Sequence, residues 1–501
     1  MKPFNDFTPG QPERYFWFFA LAHAFLWTAV PILCLPGVPV DFPEMIYWAK
    51  RFSFSYPKHP PLTYWISGAF LKAAGFEVWS QYVASQLAML CVFACVWSLA
   101  KDFLEKRLAL VSVLLLEGIY YYNFMSPEFG QNILILPFWA GAALFTWKAL
   151  STRKPSFWVL SGLSIGLGCL TKYSMFALVF PLLVFLLAEP KARASLRTPG
   201  PYLAVLAAAA VFAPHALSLL RPESTNIRYL LDRTLPRLDW VEAILKTAQF
   251  ALIQIGAVIP PAAALYYACG KPWRLEARFF RFEFPDTYLF AAAIGPFITH
   301  FLLSLFFGIK ITVNMYGAPL WLFIGVFLVR CAAMNSVAIN TKKIARVCMV
   351  FFFAWLIAFS AMYALGPYLR HKGKRAHFPA RNLSEYLESA WDLRYGSRLP
   401  AVGGDPWIAG SAGLFLTQQQ GVYTDQALEF EDLRLARAIF EKIGGILLWD
   451  AQKNGPGFPE RFREIFPQAE VQRPIRLRWL TGADIPPAQV GWAIVPPGKK
   501  P

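Results

Sequence analysis

Apolar runs of about twenty residues recur along most of the chain, separated by short polar loops. A helix needs roughly 20 mostly apolar residues to cross a hydrocarbon core. The pattern predicts spans at 16–35, 82–100, 108–125, 132–150, 157–171, 173–189, 201–220, 246–268, 287–307, 316–330 and 346–366. The stretch 60–75 is ambiguous by hydropathy. The first span has a long apolar core and no small-residue cleavage site, so it reads as a retained anchor.

Past residue 366 the texture changes. Residues 382–391 carry an amphipathic helical pattern, and 400–410 read as a short strand, a Gly-rich turn and a helix start. A second helix is predicted over 429–442, stopped by Gly444-Gly445, with buried strands at 446–450 and 490–495. The expected architecture is a polytopic α-helical membrane domain over 1–366, with about 11 transmembrane helices and a first external loop at 36–81. An extracytoplasmic α/β domain follows over 367–501.

Composition supports this division. Of 501 residues, 56% are hydrophobic and only 16% charged, which excludes an ordinary soluble globule. The net charge of +17 is chiefly a topology signal. Lys101, Lys106, Arg107, Lys148, Arg153, Lys154, Lys191, Arg193, Arg197, Lys271, Arg274 and Arg330 fall in loops on every second side. By the positive-inside rule that side is cytoplasmic, which puts the N-terminus inside and the C-terminal domain outside. The segment 221–245 breaks the rule, because it is external yet carries Arg221, Arg228, Arg233 and Arg237. No basic face on a soluble domain points to nucleic acid. The seven cysteines lie in or beside the spans, so no disulfide framework or spaced zinc cluster is expected.

The first external loop gathers Asp41, Glu44, Lys58 and His59 at the membrane surface. Charges so close to lipid are costly unless they pair or act. Asp41 and Glu44 are three apart and share a face if helical, where they either cap a helix start or serve as a general base or metal ligand. Pro60 biases His59 to extended backbone, and Pro60-Pro61 stiffens the turn that presents Lys58 and His59. Lys58, Lys172, Arg221, Arg228, Arg233 and Lys310 fall on the same external side as Asp41, Glu44 and Glu128. A phosphate-linked sugar donor needs such cations for its leaving phosphate and a carboxylate for the incoming hydroxyl. Snorkelling at the interface is the competing reading for Lys172 and Lys310, and helix packing for Asn314 and Tyr316.

These residues form a series. Asp41-Phe-Pro-Glu44, Trp48 and Tyr56-Pro-Lys58-His59-Pro60-Pro61-Leu62 resemble the first external loop of bacterial GT-C glycosyltransferases of the family 39 type. These are integral-membrane enzymes related to dolichyl-phosphate-mannose protein mannosyltransferases and the lipid A aminoarabinose transferase. The resemblance continues through Ser126-Pro-Glu128, Gln131-Asn132, Thr171-Lys172-Tyr173-Ser174, Pro214-His215, Lys310, Asn314 to Pro319, and Gly404 to Gly410. It implies a polyprenyl-phosphate sugar donor and inversion at the anomeric centre. Carried over residue by residue, Asp41 matches the base, Glu44 its companion acid and Glu128 the acid of the second loop. His59 matches the histidine near which some relatives hold a divalent metal, and Lys172 with Tyr173 a turn suited to a lipid phosphate. The acids are adjacent in many relatives, whereas Pro43 precedes Glu44 here, so Asp41 and Glu44 compete for the base.

The resemblance therefore implies an inner-membrane enzyme moving a sugar from a polyprenyl-phosphate carrier to a cell-envelope acceptor on the periplasmic side. Cofactors are undetermined, a divalent metal being the one the resemblance suggests. Two rivals come from other classes. A lipid-linked-sugar flippase would place polar residues and broken helices at mid-membrane. A non-catalytic envelope scaffold would act through the C-terminal domain.

Overall fold

The computed structural model describes residues 11–498 apart from 40–41, 50–51, 222–225, 228, 230, 232–239, 270–282, 308–313, 336, 417–421 and 425–429. Among them, seven single helices are long and apolar enough to cross a membrane: Gln11–Cys34, Trp79–Phe103, Gln131–Thr152, Gly200–Leu219, Val241–Cys269, Met315–Met334 and Thr341–Ala364. Two bent pairs raise the number to nine: Tyr173–Ala188 with Pro190–Arg197 at 91°, and Phe284–Ala293 with Gly295–Phe306 at 49°. Pro155–Thr171 is a shorter apolar helix of 17 residues.

One expected span differs. The apolar run 108–125 is an α-helix only over Lys106–Leu114 and then turns through 3-10 segments Leu115–Gly118 and Tyr120–Tyr122. The cause is local packing. A Cβ on Gly118 would lie 2.9 Å from the Pro261 ring, so another helix rides directly on this backbone. The carbonyl freed at Glu117 is taken up by Asn123 Nδ2 at 2.9 Å, as an irregular turn in an apolar setting requires.

The chain forms two compact units. The first comprises Met1–Ala29, Phe54–Thr63 and Tyr82–Ala358. Small residues set its closest helix contact. Gly162 and Gly166, four apart on Pro155–Thr171, face Ala204 and Ala208 of Gly200–Leu219. A Cβ at 162 would sit 2.1 Å from the Ala204 carbonyl oxygen, so only hydrogen fits. Helix Gln131–Thr152 joins the same pair through Thr146 and Ser161, whose hydroxyls lie 2.7 Å apart. A hydroxyl pair satisfies itself where lipid offers no partner.

The second unit comprises Val30–Ser53, Tyr64–Gln81 and Phe359–Pro501. Its sheet contains β1 (Val402–Gly404), β2 (Val422–Thr424), β3 (Gly445–Asp450), β4 (Glu470–Val471), β5 (Ile475–Leu477) and β6 (Ala488–Val495), in the order β2-β1-β3-β6-β4 with β5 also on β6. β1 is parallel to β2 and β3, whereas β6 is antiparallel to β3. The inner β3 and β6 are nearly all apolar and buried, as strands covered on both faces must be. Phe440, Leu447, Trp449, Phe462, Phe466, Ala493 and Val495 make a core.

The predicted helices are present at Ala380–Tyr395, Pro406–Phe415 and Phe430–Ile443. Asp405 caps the second, accepting from the Trp407 and Ile408 amides at 3.0 Å. Gly444 takes φ +77°, the left-handed residue that ends the third. Parts of the loop between the first two spans also belong to this unit. Helix Phe42–Ala49 packs on Pro406–Phe415, where a Cβ at Gly410 would already lie 3.1 Å from Pro43 Cβ. The Gly37 amide donates to the Ala376 carbonyl at 2.8 Å.

Candidate active site

Helix Pro155–Thr171 stops at Lys172, which is extended with φ −163° and ψ 134°, before a 3-10 turn Tyr173–Met175 and the next helix. Gly168 permits the stop: a Cβ there would lie 2.8 Å from Met175 Sδ, so the sulfur folds back against bare backbone. The break throws Lys172 sideways. Its Nζ donates to Asn132 Oδ1 at 2.6 Å and stands 4.1 Å from the centre of the Tyr316 ring. Three segments thus meet at one ammonium: the turn at 172, the first turn of Gln131–Thr152, and the 3-10 helix Asn314–Trp321. An amide oxygen and an aromatic face both orient a cation.

The neighbouring Tyr173 binds elsewhere. Its hydroxyl lies 2.7 Å from His215 Nε2 and 2.7 Å from Asn226 Oδ1. His215 Nδ1 lies 2.6 Å from the Phe54 carbonyl, and Asn226 Nδ2 donates to the Tyr56 carbonyl at 2.8 Å. Carbonyls only accept, so His215 Nδ1 must be the donor to Phe54. The Tyr173 hydroxyl donates to Asn226 Oδ1, and its oxygen sits beside the other imidazole nitrogen, Nε2. His215 and Asn226 are fully buried. This hub fixes residues 54–56 immediately before Lys58 and His59. Both of those are half-buried, and the His59 ring meets Tyr229 edge-on at 6.0 Å.

The loop around Ser126 is pinned at its base. Gln86 Nε2 donates to Ser126 Oγ at 3.1 Å, the Ser85 hydroxyl donates to the Ser126 carbonyl, and Ser126 Oγ donates to the Asn123 carbonyl at 2.8 Å. Glu128 follows two residues later and is half-buried. Behind the loop, Tyr122 donates to the Ala318 carbonyl at 2.7 Å, and Trp321 Nε1 donates to Gln254 Oε1 at 3.2 Å. Gly317 is needed there, since its Cβ would lie 1.9 Å from Gln254 Oε1.

The structure brings Lys172 to Asn132 and Tyr316, and Tyr173 to the backbone ahead of Lys58. Arg221 is exposed just past Gly200–Leu219. Asp41, Arg228, Arg233 and Lys310 lie outside the described residues, as do the side chains of Glu44 and Asn314. Helix Phe42–Ala49 and the 3-10 helix Asn314–Trp321 place only the backbones of Glu44 and Asn314. Among the described residues no three His, Cys, Asp or Glu side chains converge in a way that could hold a metal ion.

Two groups were not legible as partners in the sequence. Asn132 stood out only as part of a Gln-Asn pair, and nothing local tied it to Lys172, forty residues on. His23 and Glu117 are both buried and joined at 2.8 Å between Nδ1 and Oε1, inside the apolar core. A histidine inside an apolar helix and an acid inside an apolar run were the available signals.

The fold and these sites define a class. The chain is a multi-pass helical membrane protein of GT-C architecture with a C-terminal α/β unit. It superposes on ArnT from Cupriavidus metallidurans bound to undecaprenyl phosphate with a TM-score of 0.64 at 12% identity, over 98% of this chain and 100% of that one. The apo ArnT structure gives 0.61 at 13% identity, over 97% and 98%. Residues 58–217 match the family model described as dolichyl-phosphate-mannose-protein mannosyltransferase. The lipid A galacturonosyltransferase RgtD of Rhizobium johnstonii is 25% identical over 230 residues, 44% of this chain. That match spans 46% of the relative, about half its length. The resemblance to GT-C glycosyltransferases read from the loop motifs is thus met in both sequence and fold.

Proposed function

We propose that this protein transfers a sugar from a polyprenyl-phosphate carrier to a lipid A-type glycolipid on the periplasmic face of the inner membrane. The observation that carries the reading is Lys172, an ammonium oriented by Asn132 and Tyr316 at a helix break. A cation held in place by an amide oxygen and an aromatic ring suits a phosphate that gains charge as its sugar leaves. The reading is supported by the name of RgtD, a lipid A galacturonosyltransferase, and by the undecaprenyl phosphate in the ArnT structure.

In the proposed reaction the acceptor hydroxyl oxygen attacks the anomeric carbon opposite the phosphate. The bond from that carbon to the phosphate oxygen breaks, and the configuration inverts. The hydroxyl proton passes to a carboxylate, with Asp41 the first choice and Glu44 or Glu128 its support. Polyprenyl phosphate leaves, and Lys172, Lys58 and the arginines at 221, 228 and 233 balance its charge. Tyr173 serves this site by holding the backbone ahead of Lys58 through His215 and Asn226. Lys310 and Asn314 complete the proposed donor site.

Mass spectrometry of lipid A from cells with and without the gene tests the assignment. A sugar-sized mass lost on deletion and restored by the wild-type gene, but not by the Asp41→Asn, Glu44→Gln double variant, is the expected result. Restoration by that variant would overturn the proposed base.

A further inference from the structure

The helix Thr341–Ala364 is followed by a run that the reaction does not use. Residues 365–376 hold Arg370, His371, Lys372, Lys374 and Arg375, with no acidic residue among them. They begin one residue beyond the end of an apolar helix long enough to cross a membrane. Three large apolar side chains precede the cations and face solvent: Leu365 is 55% exposed, Tyr368 50% and Leu369 79%. Their spacing of three and four puts them on one helical face.

The fold gathers these cations instead of leaving them as a loose tail. The short helix Gly366–Arg370 ends at His371 with φ +46°, which turns the chain back. Lys374 Nζ then lies 4.7 Å from the centre of the Tyr363 ring, and the Arg375 guanidinium 5.2 Å from that of Trp407. Gly373 lies against Trp479 so closely that a Cβ would be 2.2 Å from the indole. The Leu480 amide donates to the His377 carbonyl at 2.8 Å, and a Cβ at Gly482 would lie 2.5 Å from the Tyr368 hydroxyl. The strand end carrying Arg478 is thereby locked alongside the basic turn. Burial, with Arg370 nearby, lowers the Lys374 pKa, a sign that like charges are held together.

Among the described residues of this unit, Arg394 pairs with Glu470 and Arg437 with Glu441, each at 2.6 Å, while residues 370–375 join no ion pair. Grouping cations around aromatic faces without a carboxylate costs free energy that an external anion recovers. At the end of a span, the anion within reach is a lipid headgroup, and the exposed Leu365, Tyr368 and Leu369 suit the headgroup-to-acyl boundary.

We propose that Arg370, Lys372, Lys374 and Arg375, with Arg478 beside them, form a binding site for the phosphate of an anionic membrane-lipid headgroup. The apolar face of residues 365–369 seats in the adjoining acyl region. This site is separate from the sugar-transfer reading and stands whether or not that reading holds.

The test is native mass spectrometry of the full chain in detergent, titrated with palmitoyl-oleoyl phosphatidylglycerol or with phosphatidylcholine of the same chains. Phosphatidylglycerol should be retained preferentially, and retention should fall as salt rises. The Arg370→Gln, Lys372→Gln, Arg375→Gln variant should lose roughly fivefold per cation removed, and thus about a hundredfold overall. Gly373→Val, which must displace Trp479, should also weaken retention. The charge-matched control Lys453→Gln, Arg461→Gln, Arg463→Gln should retain lipid as wild type does. If the triple variant does not melt cooperatively, the exposed Lys372→Gln alone decides, with a fewfold loss expected. Equal retention of both lipids, or equal loss in the control, would overturn the proposal. Complete displacement by equimolar inorganic phosphate would also overturn it, since the site would then read free phosphate.

Discussion

The Tyr173 hydroxyl lies 2.7 Å from His215 Nε2, and through His215 and Asn226 it holds the carbonyls of Phe54 and Tyr56. A residue at a helix break thereby sets the path of a loop more than a hundred positions earlier. Tyr173→Phe removes both bonds of the hydroxyl and leaves two fully buried polar side chains short of a partner. We expect a loss of about 2–6 kcal/mol, since each unsatisfied buried group costs roughly 1–3 kcal/mol. Thermal melting in detergent measures it, and an unchanged midpoint would show that the hub does not hold the loop.

Lys172→Met should act differently. The side chain keeps its length and apolar stem, so the melting midpoint should stay within a few degrees of wild type. Affinity for undecaprenyl phosphate should fall about 10- to 100-fold, the worth of one hydrogen bond to a charged group. Asn132→Ala, which frees the ammonium from its 2.6 Å partner, should fall between the two. Isothermal titration with wild type and both variants would settle the order.

His23 and Glu117 form a buried pair in which His23 Nε2 and Glu117 Oε2 find no further hydrogen-bond partner among the described residues. Truncating either partner alone should cost about 3–5 kcal/mol, because it strands a buried polar group. His23→Leu together with Glu117→Leu should recover most of that loss. A double-mutant cycle on unfolding free energy reports the coupling, and additive losses would mean the two side chains act separately.

Gly162→Val should prevent close approach of Pro155–Thr171 and Gly200–Leu219, since even a Cβ would meet the Ala204 carbonyl at 2.1 Å. The expected outcome is loss of the folded protein from the membrane fraction. Gly130→Ala has open space and should be tolerated. Size-exclusion profiles of the two variants distinguish them.

His377 gives the second unit a dependence on acid. Burial, only partly offset by the hydrogen bond to the Tyr363 carbonyl at 3.1 Å, lowers its pKa below the ordinary 6.5. The folded state therefore binds the proton less readily than the unfolded state. Stability is fully present above 6.5 and falls as pH drops through the window between the unfolded and folded values. His377→Gln should flatten that part of the melting-midpoint profile between pH 7.5 and pH 5.

Much of this protein was readable in one dimension. Apolar length marked the spans because hydrocarbon demands about 20 residues per crossing. The Gly-rich turn within 400–410 signalled a helix start and Gly444-Gly445 a stop, and both are met, because helix ends answer to backbone geometry within a few residues. The span expected at 108–125 failed because hydropathy counts apolar side chains and is blind to another helix resting on Gly118. Within the site, Lys172 and Tyr173 were recognised as a turn, but their opposite destinations were not. Adjacent residues in an extended break point to different sides, and which partner waits on each side depends on helices remote in sequence.

The sequence by itself determined the membrane-spanning class, the α/β character of the tail and the types of residue in the loops between spans. These follow from hydropathy, periodicity and local backbone preference, which act over a few residues to a few turns. Tertiary structure decided that Lys172 meets Asn132 and Tyr316, that Tyr173 binds His215 and Asn226, and that Gly373 lies under Trp479. Those pairings depend on close packing between distant segments, where a fraction of an ångström separates a fit from a clash.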